Sequence, residues 1–270
     1  APLAKLEDGV HILELFKGPT CAFKDMALQI LPHLLTRAAS KTVGDKQIVI
    51  LVATSGDTGK AALAKLAEIN PDWPVIWRCI DLCSEEQAKA LFEEVEALWG
   101  RVDVLINNAQ ASASGVTIEN HTTEQFDLAM YSGLYATFYY MKACYPYLKE
   151  TKGSVVNFAS GAGLFGNFGQ CAYAAAKEGI RGLSRVAATE WGKDGINVNV
   201  VCPLAWTAQL EQWAEAQPEA FKANVHMPPM GHFGDPELEI GRPVVALCSP
   251  DMKYLSGETL TLEGGMGQRP

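Results

Sequence analysis

Tyr173 and Lys177 stand one helical turn apart in the run Tyr173-Ala174-Ala175-Ala176-Lys177, so their side chains project to the same side. An ammonium beside a phenol favours the phenolate, and the spacing predicts a tyrosine pKa drawn down toward neutrality. A phenol tuned in this way is a usable general base or acid. Ser160 lies thirteen residues before the tyrosine. It ends the apolar run Ser154-Val155-Val156-Asn157-Phe158-Ala159, which reads as a buried strand entering a glycine-rich loop. A hydroxyl at the carboxyl end of such a strand sits where open α/β sheets bind ligands. In the plainer reading each residue is purely structural, with a lysine on a helix surface, a tyrosine packed on the sheet and a serine capping the next turn.

The flanking chain supplies the elements that would position these groups. Residues 11–16 read as a strand closed by the turn signal Lys17-Gly18-Pro19-Thr20, and 23–39 as an amphipathic helix. Residues 47–53 form an apolar run of buried parallel-strand type, followed by Thr54-Ser55-Gly56-Asp57-Thr58-Gly59 and an alanine-rich helix start at Lys60. Strand, Gly/Ser/Thr loop and helix start together predict a phosphate cradle, with Ser55, Gly56, Thr58 and Gly59 offering amides. A simple strand-to-helix turn is the other reading. Residues 75–82 read as a strand ending at Asp81-Leu82, and Ser84 with Gln87 reads as a capping box opening a helix through Trp99. A strand with its terminal turn is expected over 102–110 and further strands at 154–160, 196–203 and near 255–265, with a helix after Thr123. Residues 208–236, rich in Trp, Met, Pro and Gly, are expected to form a long irregular lid. Alternating strands and helices predict a Rossmann-like doubly wound α/β fold, a parallel sheet with helices on both faces.

With 270 residues, 48% hydrophobic and 20% charged, the chain has the composition of a globular α/β protein. A net charge of −9 without a basic cluster argues against nucleic-acid or membrane-surface partners. The seven cysteines are scattered and odd in number, which predicts reduced thiols in a cytoplasmic protein. Five dispersed histidines, none at finger spacing from a cysteine, predict no metal site.

From about residue 75 to the C-terminus the chain resembles the short-chain dehydrogenases/reductases. The resemblance rests on Asp81-Leu82, the run Gly100-Arg101-Val102-Asp103-Val104-Leu105-Ile106-Asn107-Asn108-Ala109, Ser160 and Tyr173-x-x-x-Lys177, in that order and spacing. It implies NAD or NADP as cofactor and reversible hydride transfer between an alcohol and a ketone, on a hydroxysteroid or 3-oxoacyl type of apolar substrate. Tyr173 would exchange the proton with the substrate oxygen, Lys177 would lower the tyrosine pKa and bond the nicotinamide ribose, and Ser160 would hold the substrate oxygen. Asp81, Leu82, Asn107, Ala109, Pro203 and Thr207 would join Ser55, Gly56, Thr58 and Gly59 around the cofactor, with Thr207 bonding the carboxamide. The family's asparagine near position 133 is replaced by Ser132-Gly133, Leu204 departs from its glycine, and Ala53 and Asp57 stand where two loop glycines are usual. The second strand, whose end selects NAD or NADP, has no room between Gly59 and Asp81. Trp206, Trp213, Met227 and Met230 suggest an apolar pocket. The resemblance also implies a homotetramer with the Tyr-Lys helix at a subunit interface.

The opening of the chain resembles another family. Leu13-Glu14-Leu15-Phe16-Lys17-Gly18-Pro19-Thr20-Cys21-Ala22-Phe23-Lys24-Asp25 and Val52-Ala53-Thr54-Ser55-Gly56-Asp57-Thr58-Gly59 are similar to segments of threonine synthases, in which Lys24 would be the pyridoxal-phosphate lysine. The similarity covers about residues 10–64, as in a chimera. Strand 11–16 is expected to lie parallel to strand 47–53 by a right-handed crossover, filling the missing slot and completing one domain over 1–270. Three other functions stay open: a dehydrogenase-like protein silenced by its altered loop, a pyridoxal-phosphate enzyme, and a non-catalytic scaffold.

Overall fold

A computed structural model describes residues 3–7, 10–13, 50–53, 78 and 80–267. The central element is a five-stranded sheet of β3 (Ile50–Ala53), β4 (Val104–Asn107), β5 (Ser154–Phe158), β6 (Asn197–Pro203) and β7 (Thr259–Leu262). Each strand is parallel to its neighbour, in the order β3-β4-β5-β6-β7. The apolar runs read from the sequence fall on β4, β5 and β6, and both faces of these strands are covered. Leu105, Val155, Val156, Val198 and Val200 are each at most 1% exposed, as strands sandwiched between helices require.

The helices connect these strands: α1 (Glu85–Trp99), α2 (Thr123–Ala129), α3 (Ala136–Thr151), α4 (Gly161–Phe165), α5 (Cys171–Trp191), α6 (Ala208–Ala216), α7 (Pro218–Asn224) and α8 (Arg242–Leu247). Val156 of β5 packs with Val201, Val244 and Leu247, which places α8 on one face. The next side chain along β5, Asn157, reaches Ser184 of α5 on the other face. The doubly wound Rossmann-like fold expected from the sequence is the fold observed.

Ser84 caps α1 as expected, its hydroxyl accepting from the Gln87 amide at 3.2 Å. The expected capping box is not closed, because Gln87 Oε1 accepts from Asp81 N at 2.9 Å rather than from Ser84. Thr122 and Gln125 do form a reciprocal box at the start of α2. The run from α2 to α3 is continuous through a π-turn, Met130–Tyr135.

Three expectations change. Val10–Leu13 (β2) pairs antiparallel with Leu3–Glu7 (β1) in a two-stranded sheet of its own, rather than parallel to β3. A short connection between two strands favours a hairpin over a crossover. Residues 208–236 are not irregular throughout: Thr207 Oγ1 accepts from Leu210 N at 3.3 Å and starts α6. Pro218 opens α7 at a position where its missing N–H costs nothing. Ile80-Asp81 is irregular and Leu82-Cys83 is turn, rather than strand, with Asp81 Oδ1 accepting from Cys83 N at 2.9 Å. Of the strand expected over 75–82, residues 75–77 and 79 lie outside the described residues and Arg78 is not in a strand; the helix at 23–39 and the loop 54–59 with Lys24 also lie outside them.

Contacts divide the chain into two compact units, one of Ile48–Thr54, Cys79–Trp206 and Glu219–Pro270, the other of Ala1–Gln47, Ser55–Arg78 and Thr207–Pro218. Among the described residues no helix is long and apolar enough to cross a membrane. Cys83, Cys144, Cys171, Cys202 and Cys248 are reduced cysteines.

A buried chain of polar side chains ties β4, β5 and α5 together. Asn107 Nδ2 donates to Asn157 Oδ1 at 2.8 Å, Asn157 Nδ2 donates to Ser184 Oγ at 2.8 Å, and Ser184 Oγ donates to Ile180 O at 2.7 Å. Asn157 is fully buried, so its removal strands a donor on Asn107 in the interior. Asn157→Ala is expected to cost roughly 2–4 kcal/mol in chemical denaturation. An unchanged midpoint would mean that the network contributes nothing to stability.

Candidate active site

Helix α5 is alanine-rich and carries a buried stripe of Ala172, Ala176, Ile180, Ser184 and Ala187 at helical spacing. Lys177 lies beside that stripe and is 4% exposed, so it is not the surface lysine of the plainer reading. Its Nζ donates to the carbonyl of Phe158, at the end of β5, at 2.7 Å. The same Nζ stands 5.4 Å from the centroid of the Tyr173 ring. Burial drives the lysine pKa down from 10.5 to about 8. That drop corresponds to roughly 3 kcal/mol against the charged form.

Ser160 follows β5 in extended conformation (φ −158°, ψ 147°) and caps α4, its Oγ accepting from Ala162 N at 3.1 Å. Its side chain is close enough to Tyr173 to draw that residue's pKa down. The pKa of Tyr173 is nonetheless raised: burial pushes it up, and the Ser160 side chain pulls it the other way. This corrects the expectation of a tyrosine lowered by its lysine. The ammonium faces the ring and a backbone carbonyl, and desolvation is the largest influence on the phenol. The Cys202 thiol, at the end of β6, is close enough to both groups to act on their electrostatics.

Ser160, Tyr173 and Lys177 are therefore brought together at the carboxyl ends of β5 and β6. Leu82, Asn107 and Ala109 also converge, lining a small cleft with Ala136, Thr137 and Tyr140. Asn107 is buried and its amide nitrogen is committed to Asn157. Asp81 is exposed beside this cleft, its carboxylate held by the Cys83 amide. Pro203 ends β6 in register with Leu262. Thr207 belongs to the smaller unit, where its hydroxyl caps α6. Ser55, Gly56, Thr58 and Gly59 lie outside the described residues.

Trp206 is half-buried, with its ring centroid 5.6 Å from that of Phe233 and 6.0 Å from that of Phe221. Met227 and Met230 are exposed, and Trp213 lies in the smaller unit. The carbonyl of Phe158 is not legible in the sequence, since a backbone acceptor leaves no trace in residue type. Gln110 escapes sequence reasoning too, although its place directly after Asn107-Asn108-Ala109 is a signal.

A nicotinamide ribose suits this arrangement. Lys177 has three N–H groups and makes one hydrogen bond among the described residues, so a diol would meet a buried, under-used donor beside the Tyr173 and Ser160 hydroxyls.

Known proteins define the class. Residues 35–267 match the family described as enoyl-(acyl carrier protein) reductase. The chain belongs to the short-chain dehydrogenase/reductase family, whose members are NAD(P)-dependent oxidoreductases. It is 72% identical over 187 residues to the 12α-hydroxysteroid dehydrogenase of a Clostridium species, covering 69% of this chain and 72% of that protein. A 3-oxoacyl-[acyl-carrier-protein] reductase of Thermotoga maritima is 31% identical over 216 residues, covering 78% of this chain and 86% of that one. The crystal structure of levodione reductase superposes with a TM-score of 0.75 at 27% identity, covering 89% of this chain and 92% of that chain.

A buried ammonium with one protein acceptor is a liability for folding that only function repays. Below its folded pKa of about 8 the lysine is charged in both states, and the fold carries the full desolvation penalty. Between about 8 and 10.5 the unfolded chain binds more protons, so this group alone makes stability rise with pH. Lys177→Met is expected to stabilise the ligand-free protein at pH 7 by about 1–3 kcal/mol and to abolish turnover. A destabilised variant would show that Lys177 is compensated in the fold.

Proposed function

We infer that this protein interconverts a secondary alcohol of a hydroxysteroid and the corresponding ketone, using NAD or NADP. The observation that carries the reading is the 72% identity to a 12α-hydroxysteroid dehydrogenase across 187 residues. The clustered Ser160, Tyr173 and Lys177 support it. Nicotinamide, when bound, supplies or accepts the hydride. Tyr173 holds the proton exchanged at the substrate oxygen, Ser160 hydrogen-bonds that oxygen, and Lys177 offers its spare N–H groups to the ribose. By the family resemblance we assign Ser55, Gly56, Thr58, Gly59, Asp81, Leu82, Asn107, Ala109, Pro203 and Thr207 to dinucleotide binding, with Thr207 the hydroxyl for the carboxamide.

An apolar substrate accords with Phe168, 86% exposed in the loop before α5, and with Met230, 71% exposed and tied to the end of β7 through its amide to Gly264 O at 3.0 Å. A 3-oxoacyl substrate is the second reading, favoured by the family description and the Thermotoga relative. One family match over residues 35–267 supports a single Rossmann-type domain across that span. The threonine-synthase-like opening, residues 10–64, is in this reading a segment joined to a dehydrogenase body, with Lys24 a bystander. Reduced cysteines among the described residues support a cytoplasmic location.

Fluorescence titration with NADH and NADPH should show saturable binding of at least one, and 12-hydroxysteroid oxidation should follow. Tyr173→Phe should lower kcat by about 10²–10⁴-fold with little change in cofactor affinity. No saturable binding of either dinucleotide overturns the reading in favour of a silenced or pyridoxal-phosphate protein.

A homotetramer is part of the same reading. Tyr131, Tyr135 and Phe138 are 45%, 43% and 41% exposed at helical spacing along the π-turn and α3. Val186 of α5, 54% exposed, shares an open groove with Phe138 and Trp191. Such a stripe is a self-association surface by chemistry. Phe138→Glu should reduce the mass measured by light scattering to that of a smaller species, and an unchanged mass excludes this face.

A further inference from the structure

Gly133 is a buried residue inside the π-turn between α2 and α3. A Cβ built on it would lie 2.5 Å from Gln110 Cδ, 2.6 Å from Nε2 and 2.8 Å from Oε1. The space where any side chain at 133 would begin is therefore filled by the amide of a residue just beyond β4. That amide is oriented: Nε2 donates to the carbonyl of Ala129 at 3.3 Å, which turns Oε1 the other way. Oε1 is buried and has no hydrogen-bond partner among the described residues.

The neighbouring residue repeats the link. Ala111 N donates to Ser132 Oγ at 3.0 Å, and Ser132 Oγ donates to Leu128 O at 2.6 Å. Two consecutive residues after β4 thus engage the π-turn, and two helix carbonyls, of Leu128 and Ala129, accept from side chains. π-Turns of this kind recur at functional sites because they reshape a helix locally.

The π-turn in turn bears on the reactive helix. It packs against α5, and a Cβ at Gly179 would lie 2.7 Å from Leu134 Cδ2, so α5 is bare where the π-turn meets it. Gly179 is two residues beyond Lys177. Continuous contact therefore runs from Gln110, through the π-turn, to the helix that bears Tyr173 and Lys177.

We propose that Gln110 and Gly133 are a matched pair, in which an amide supplied from the β4 loop stands in the side-chain place of the helix and positions the π-turn, and through it Tyr173 and Lys177, for turnover. Gln110 is a positioning residue, whose buried Oε1 has no hydrogen-bond partner among the described residues. The inference rests on the oxidoreductase reading of the site for its kinetic part, while its stability part needs no substrate.

The test is a cycle of Gln110→Met, Gln110→Gly, Gly133→Asn and the double variant Gln110→Gly/Gly133→Asn, with urea denaturation and kinetics on 12-hydroxysteroid. Gln110→Met keeps the volume and removes the amide; its kcat should fall about tenfold or more with KM within about twofold. Gly133→Asn alone should be the most damaged variant, unfolded or nearly so. The double variant, with the amide moved to the helix, should be more stable than Gly133→Asn and recover kcat to within about threefold of the parent. A Gln110→Met variant with parental kcat overturns the proposal, because packing alone would then suffice. So does a double variant no more stable or active than Gly133→Asn. If the parent itself does not turn over the hydroxysteroid, the substrate reading fails, and the stability cycle still decides whether the pair is matched.

Discussion

Lys177 is a cation inside the protein, held there by one backbone carbonyl. The Phe158 oxygen that receives it belongs to the end of β5, so the strand must stop where the lysine arrives, and α5 must lie close enough to deliver it. The alanines around it serve that end. Ala172 and Ala176 are buried between helix and sheet, and larger residues there would hold α5 away. A full hydrogen-bonding shell would make the lysine comfortable and useless. Burial depresses its pKa, and its single protein acceptor leaves donors over for something else.

The second constraint is the polar chain Asn107–Asn157–Ser184. Buried amides are costly unless paired, and here each one is paired across an element boundary. β4 is thereby locked to β5 in one register and β5 to α5. An apolar filling would give comparable stability with less specificity, because valines tolerate sliding and amides do not. The same strand ends then carry Asn107, Phe158 and Ser160, so the register of the sheet becomes the geometry of the site.

How much of this is legible in the sequence follows from what each feature is made of. Period-2 and continuous apolar runs mark β4, β5 and β6, because burial on both faces dictates residue type. Tyr173, Lys177 and Ser160 are legible because their chemistry lies in their side chains and their spacing. The hairpin of β1 and β2 is not, because a short apolar run does not reveal its partner. Residues 208–236 look irregular because tryptophan, proline and glycine obscure two helices opened by Thr207 and Pro218. The direction of the tyrosine pKa cannot be read at all. Spacing reports that the lysine is near, whereas desolvation depends on everything packed around both groups. Gln110 and Gly133 are each visible as letters, and only their contact gives them meaning.

Burial acts on both members of the reactive pair in the same sense, raising Tyr173 and lowering Lys177, so it favours the neutral form of each. The lysine still carries its charge at neutral pH, since its value of about 8 lies above it. The tyrosine has no such margin, and the Ser160 side chain is the influence that offsets its burial. Ser160 thus does more than orient a substrate oxygen. Its extended backbone, set by β5 and by the start of α4, fixes the hydroxyl against the Ala162 amide, within electrostatic reach of the phenol, before any substrate is present. Preorganised dipoles of this kind lose no reorganisation energy during the reaction. The short helix α4, five residues long, makes sense as the device that holds Ser160 in that pose. The serine that caps a turn and the serine that tunes a tyrosine are one residue, and the structural assignment and the chemical one are the same arrangement seen from two sides.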